Sequence, residues 1–93
     1  KHIGEEYEGM VSSIVPFGMF IELPNLVEGL VKLDDMKDDH YIYLEDTYSL
    51  IGTKNKRGYR LGDRVRVRVK DANKEAKTVD FELVLNNDKE DVQ

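Results

Sequence analysis

Residues 64–70 read RVRVRVK. Successive side chains of a strand point to opposite faces, whereas those of a helix wind round it every 3.6 residues. Strict alternation therefore makes this segment a strand with a dry face (Val65, Val67, Val69) and a cationic face (Arg64, Arg66, Arg68, Lys70). Such a strand needs a sheet with water on one side and a core on the other. The last apolar stretch, residues 78–85, follows the same rule. Val79, Phe81 and Leu83 share one parity, and Asp80 and Glu82 share the other.

Further extended segments precede this pair. Residues 7–15 are rich in valine, isoleucine and serine, and Pro16-Phe17-Gly18 turns the chain. Residues 19–23 form a second strand stopped by Pro24-Asn25. Residues 28–33 form a third, followed by a single helical turn at 33–37. Residues 41–44 and 48–51 are two more extended runs, and the basic stretch 52–58 is a hairpin tip. Leu61-Gly62-Asp63 turns into the alternating strand, residues 71–77 turn out of it, and the polar tail 86–93 is expected to fray. Short strands and glycine corners within 93 residues, without a long helical period, point to an all-β closed barrel, because closure removes exposed sheet edges. One domain over residues 1–93 is expected, with its ordered core at about 5–85.

The formal net charge of −5 argues against a polyanionic ligand only if charge is evenly spread, and it is not. Residues 52–70 carry eight lysines and arginines against Asp63 alone, while residues 1–51 carry 3 basic and 11 acidic side chains. Local field, not total charge, governs such binding. Two readings of the basic segment stay open: a solvated face, or a stripe for phosphates. The aromatic residues of the second strand raise a similar question. Met19, Ile21 and Leu23 belong to the core parity, which turns Phe20 outward beside Glu22, with Phe17 close by before the turn. An outward pair of rings is either a platform for bases or a cap on the open end of the barrel.

Three segments in order, GMVSSIVPFGMFIEL (9–23), EGLVKL (28–33) and LGDRVRVRVKD (61–71), resemble the S1 family of RNA-binding domains. That resemblance covers roughly residues 5–85 and implies a five-stranded oligonucleotide-binding (OB-fold) barrel that holds single-stranded RNA. The tyrosine-containing segments at 41–43, 48–52 and 59–63 are similar to the extra hairpin between the third and fourth core strands in the C-terminal S1 domain of the bacterial ribonuclease R family. Those enzymes degrade RNA from the 3′ end by metal-dependent hydrolysis in a separate catalytic domain. The resemblance places Phe17 and Phe20 at the two stacking positions and Lys32 where many members carry a histidine. It places Asp71 at an aspartate beside the ligand, and Lys77 near a basic position in the following turn. Glu82 replaces a common serine.

Chemistry of its own is not expected. There is no phosphate-cradling glycine loop, no metalloprotease helix motif and no nucleophile elbow. The acidic group Asp34, Asp35, Asp38, Asp39 and His40 matches no metal-loop spacing and reads as a solvated corner. Absence of cysteine excludes disulfides and is compatible with the cytoplasm. No apolar run is long enough for a membrane helix. A start at Lys1 suggests a piece of a longer protein. The expectation is a monomeric accessory domain without catalytic residues, metal or cofactor. Its expected partners are single-stranded RNA, gripped by Phe17, Phe20, Lys32, Arg57, Arg60, Arg66, Arg68, Asp71 and Lys77, and the catalytic domain of a parent ribonuclease. The rival expectation is a protein-interaction barrel using the same exposed aromatic patch.

Overall fold

A computed structural model describes residues 3–73 and 78–84. The alternating segments form strands β1 (Glu6–Val15), β2 (Gly18–Glu22), β3 (Glu28–Lys32), β7 (Arg64–Asn73) and β8 (Thr78–Leu83). These close into a five-stranded barrel in the order β1-β2-β3-β8-β7. All its pairings are antiparallel except β3 with β8, which is parallel. This is the OB-type architecture that the sequence resemblance implies.

Parity holds where the ladder is regular. Met19, Ile21 and Leu23 are 0%, 0% and 5% exposed, and Val67, Val69 and Phe81 are buried with them. Removing these side chains from water supplies the main stabilising term, roughly 1.5–3 kcal/mol for each large apolar group. Gly18 makes the turn into β2 possible. A Cβ there would lie 2.2 Å from the carbonyl oxygen of Val31, so only glycine lets β2 approach β3 at this corner.

Two β-bulges shift the parity. One lies between Val11 and Ser13, so that Val11 and Ile14 both reach the core. The other lies between Val69 and Asp71.

The segment between β3 and β7 is larger than the expected extra hairpin. After a 3-10 turn at Leu33–Asp35, strands β4 (Tyr41–Leu44), β5 (Ser49–Gly52) and β6 (Gly58–Tyr59) form a three-stranded antiparallel sheet. Met36, Tyr41 and Leu50 from this segment join the barrel residues in one buried cluster, so the small sheet is packed onto the barrel core.

The acidic group also differs from a solvated corner. Asp39 Oδ2 accepts the backbone N–H groups of Lys54 and Asn55 at 2.8 and 2.7 Å, and Oδ1 accepts that of His40 at 2.6 Å. Those bonds, the Asn55 N–H foremost, hold the Asp39 carboxyl below the usual carboxylate range. Asp38 accepts from the Tyr41 hydroxyl at 2.8 Å and the Asn55 side-chain amide at 3.0 Å. Asp35 pairs with Lys70 at 3.0 Å. Buried and turning backbone needs acceptors, and these carboxylates supply them. Asp34 and His40 are exposed.

Candidate nucleic-acid interface

Register brings the predicted stacking residues to one outer face. Phe20 stands opposite Ser13 on β1 and Leu30 on β3; Leu30 stands opposite Asp80 on β8; Asp80 stands opposite Asp71 on β7. One lateral row therefore runs Ser13-Phe20-Leu30-Asp80-Asp71 across the barrel. Strict alternation from Val65, Val67 and Val69 would turn Asp71 inward. The bulge inserts one residue and aligns Asp71 with outward Asp80, leaving it exposed.

Phe17 and Lys32 border this row. Lys32 stands opposite Gly18, and the carbonyl of Phe17 accepts the N–H of Leu33 at 2.9 Å. Phe17 is 58% exposed, Phe20 is half-buried and Lys32 is exposed. Among the described residues Lys32 has no ion pair. On the other side of Phe20, Glu22 and Glu28 face each other across β2 and β3. The platform thus has a cationic edge and an anionic edge. The Ser12 hydroxyl steadies the anionic edge, lying 2.5 Å from the Glu28 carboxylate and 3.2 Å from the Phe20 carbonyl.

The arginines of β7 lie in a different setting. Arg66 donates through Nε to Glu6 at 3.0 Å, and Arg68 donates to Glu82 at 3.1 Å and Glu6 at 3.3 Å. Their cross-strand partners are Glu8 on β1 for Arg66, and Glu6 on β1 and Glu82 on β8 for Arg68. The Arg66 bond chiefly draws the Glu6 carboxyl below its ordinary range, and the Glu82 bond chiefly raises Arg68. Lys70 is likewise raised by Asp35. The cationic face of β7 therefore exists as the alternation predicts, but largely as an ion-paired lattice.

Arg57 and Arg60 flank β6 of the small sheet. Arg57 is half-buried beside Tyr59, and its N–H donates to Asn55 Oδ1 at 2.8 Å. Arg60 is exposed, and its N–H donates to the Asp63 carboxylate at 2.9 Å. Lys77 lies outside the described residues. Leu30 and Asp80, which bridge Phe20 to Asp71, were not singled out from sequence, because cross-strand register is invisible there. Arg64 was marked only as part of the stripe, although its strand parity is clear.

The S1 RNA binding domain family model matches residues 1–83. Ribonuclease R of Ureaplasma parvum is 45% identical over 83 residues, which are 89% of this chain and 12% of that protein. Ribonuclease R of Escherichia coli is 36% identical over 83 residues, 88% of this chain and 10% of that protein. The chain thus spans only about an eighth of the length of such relatives. Among solved structures, Mycoplasma genitalium RNase R superimposes with a TM-score of 0.83 at 29% identity, over 88% of this chain and 13% of that one. It is known both in the apo form and in complex with ribose methylated single-stranded RNA. Barrel order, outward aromatic pair and this match over nearly the whole described chain agree: the chain belongs to the S1 RNA binding domain family.

Proposed function

We propose that this chain is a single domain that binds single-stranded RNA with little sequence preference. In this reading it holds substrate for the catalytic domain of a 3′–5′ exoribonuclease resembling ribonuclease R. The observation that carries the reading is exposed Phe17 and half-buried Phe20 on one outer face, beside Lys32, which has no ion pair among the described residues. Every base has a stackable face, so aromatic platforms bind single strands without reading base edges. Lys32 offers its charge to a phosphate at the platform edge, while Asp71 and Asp80 offer acceptors to a ribose hydroxyl or an exocyclic amine. None of these groups forms an acid-base pair oriented on a reacting atom, so the domain grips and another domain cuts. It works as a monomer in the cytoplasm, without metal or cofactor.

Titration with a short oligouridine at low and high salt tests this. Binding should weaken as salt rises, with a slope of about −0.7 per phosphate contact. The same RNA should stay intact during incubation with magnesium. Failure to bind at low salt, or chelator-sensitive shortening that follows the purified chain, overturns the proposal.

A further inference from the structure

Besides the platform, the fold builds a cleft where the small sheet meets the barrel. It encloses about 190 Å³ and is lined by Arg57 and Tyr59 from the small-sheet segment, Arg64 and Arg66 from β7, and Leu83 and Val84 at the end of β8. Three arginines line it and, among the described residues, no aspartate or glutamate does, in a chain whose net charge is −5. Among the described residues Arg57 and Arg64 have no ion pair. Glu6 holds Arg66 through Nε only, and a guanidinium has four further N–H donors.

The cleft is also preorganised. Asp39 and Asn55 fix the loop that carries Arg57, through backbone bonds at 2.7 to 2.8 Å. Tyr59 is held by Tyr41, their ring centroids 5.7 Å apart. Burial is the main cause that raises the Tyr59 hydroxyl above its ordinary pKa, so it is a neutral donor at physiological pH. Val84 N–H donates to the Arg66 carbonyl at 2.9 Å, which ties the floor to β7.

We propose that this cleft is a second RNA subsite, in which Arg57, Arg64 and the free face of Arg66 take a backbone phosphodiester while Tyr59 and Leu83 pack against the sugar. Planar guanidinium forks suit phosphate oxygens, and fixed ones lose less entropy on binding than free side chains. The subsite rests on the RNA-binding reading above. It lies at the Arg64–Arg66 end of β7, whereas the platform row meets β7 at Asp71, so a strand stacked on Phe20 reaches it by running along β8 from Asp80 toward Leu83. The small sheet would then extend the grip of the barrel, beyond its role in the core.

The test is an NMR titration of the 93-residue chain with a 12-nucleotide oligouridine, following the Nε–H signals of Arg57 and Arg64 and the amides of Phe20 and Lys32. Both sets should shift together. In parallel, R57A/R64A should keep the parent's melting temperature. It should lose about 5-fold in affinity at 0.1 M salt, the contribution of one phosphate contact, with a log–log salt slope shallower by about 0.7. If Phe20 and Lys32 shift while the arginines stay still, and R57A/R64A binds as the parent does, the cleft is overturned and the platform stands. If nothing shifts, both proposals fail. If polyglutamate of equal charge shifts the arginines as strongly as the oligouridine, the cleft is a general anion surface and the phosphodiester assignment is wrong.

Discussion

The outer faces of β2–β3 and of β7 are both polar surfaces of one barrel, yet their side chains differ in availability. On β2–β3, Phe17 and Phe20 expose ring surface and Lys32 has no ionic partner among the described residues. On β7, Arg66 and Arg68 are held by Glu6 and Glu82, and Lys70 by Asp35. A row of cations along a strand says how much charge is present. The strands beside it decide how much of that charge an incoming phosphate meets. Exposed ion pairs of this kind add little stability, typically 0–1 kcal/mol, so their main consequence is electrostatic. They lower the field over β7, while Lys32 at the platform edge and Arg57 and Arg64 in the cleft are among the described cations with no ion pair.

The largest expected effect separates the platform from the interior beneath it. Phe81→Ala empties a fully buried position and should cost about 3–5 kcal/mol of stability in denaturant unfolding. Phe20→Ala removes a half-buried outer ring. It should cost about 1–3 kcal/mol of RNA binding, close to ten-fold or more, with only a small shift in melting temperature. Equal destabilisation by the two substitutions would make Phe20 a core residue and dissolve the contrast.

Next come the two cations. Lys32→Gln should flatten the log–log salt slope by about 0.7 and weaken binding about 5-fold at 0.1 M salt. Arg68→Gln should leave the slope nearly unchanged, because Glu6 and Glu82 already balance that charge. A larger loss at Arg68 than at Lys32 would reverse the comparison. A sharper version frees a paired arginine. Glu82→Gln should strengthen RNA binding a few-fold at low salt and steepen the slope by up to about 0.7. Unchanged binding would show that Arg68 lies out of reach of RNA.

The smallest effect concerns acid. The folded-state Asp39 carboxyl titrates below its unfolded value, so the stability it contributes is full above about pH 4 and is lost as pH falls through the depressed value. Backbone amides of Lys54 and Asn55 should therefore exchange faster with solvent at pH 3 than intrinsic rates explain, before those of β2 do. In Asp39→Asn that extra acid sensitivity should vanish. Acid sensitivity that persists in the variant would assign it to another carboxylate.

Strand placement was largely legible before the structure, because alternation is a local property. Residues 19–23 and 64–70 each carry their own inside and outside, and β2 and β7 obey it. Pro16-Phe17-Gly18 marks its turn through the one residue that tolerates the close approach of Val31. Phe20 was legible as an outward ring for the same reason.

Asp71 was not placed by parity. Only the resemblance to S1 domains pointed to its position, and only the bulge after Val69 turns it outward. The third strand of the small sheet, at Gly58–Tyr59, also escaped, because two residues are too few to carry a period. The role of Asp39 escaped because its partners lie 15 and 16 residues away.

By itself, then, the sequence determined which segments are strands, which faces are dry, where the chain turns, and that its positive charge is concentrated in residues 52–70. These follow from backbone geometry and side-chain parity within a few residues. Tertiary structure alone decided which cations are neutralised, which ring and carboxylate share a row, and that Arg57 and Arg64 meet in one cleft. Those depend on cross-strand register, and a shift of one residue reverses every side chain on a strand.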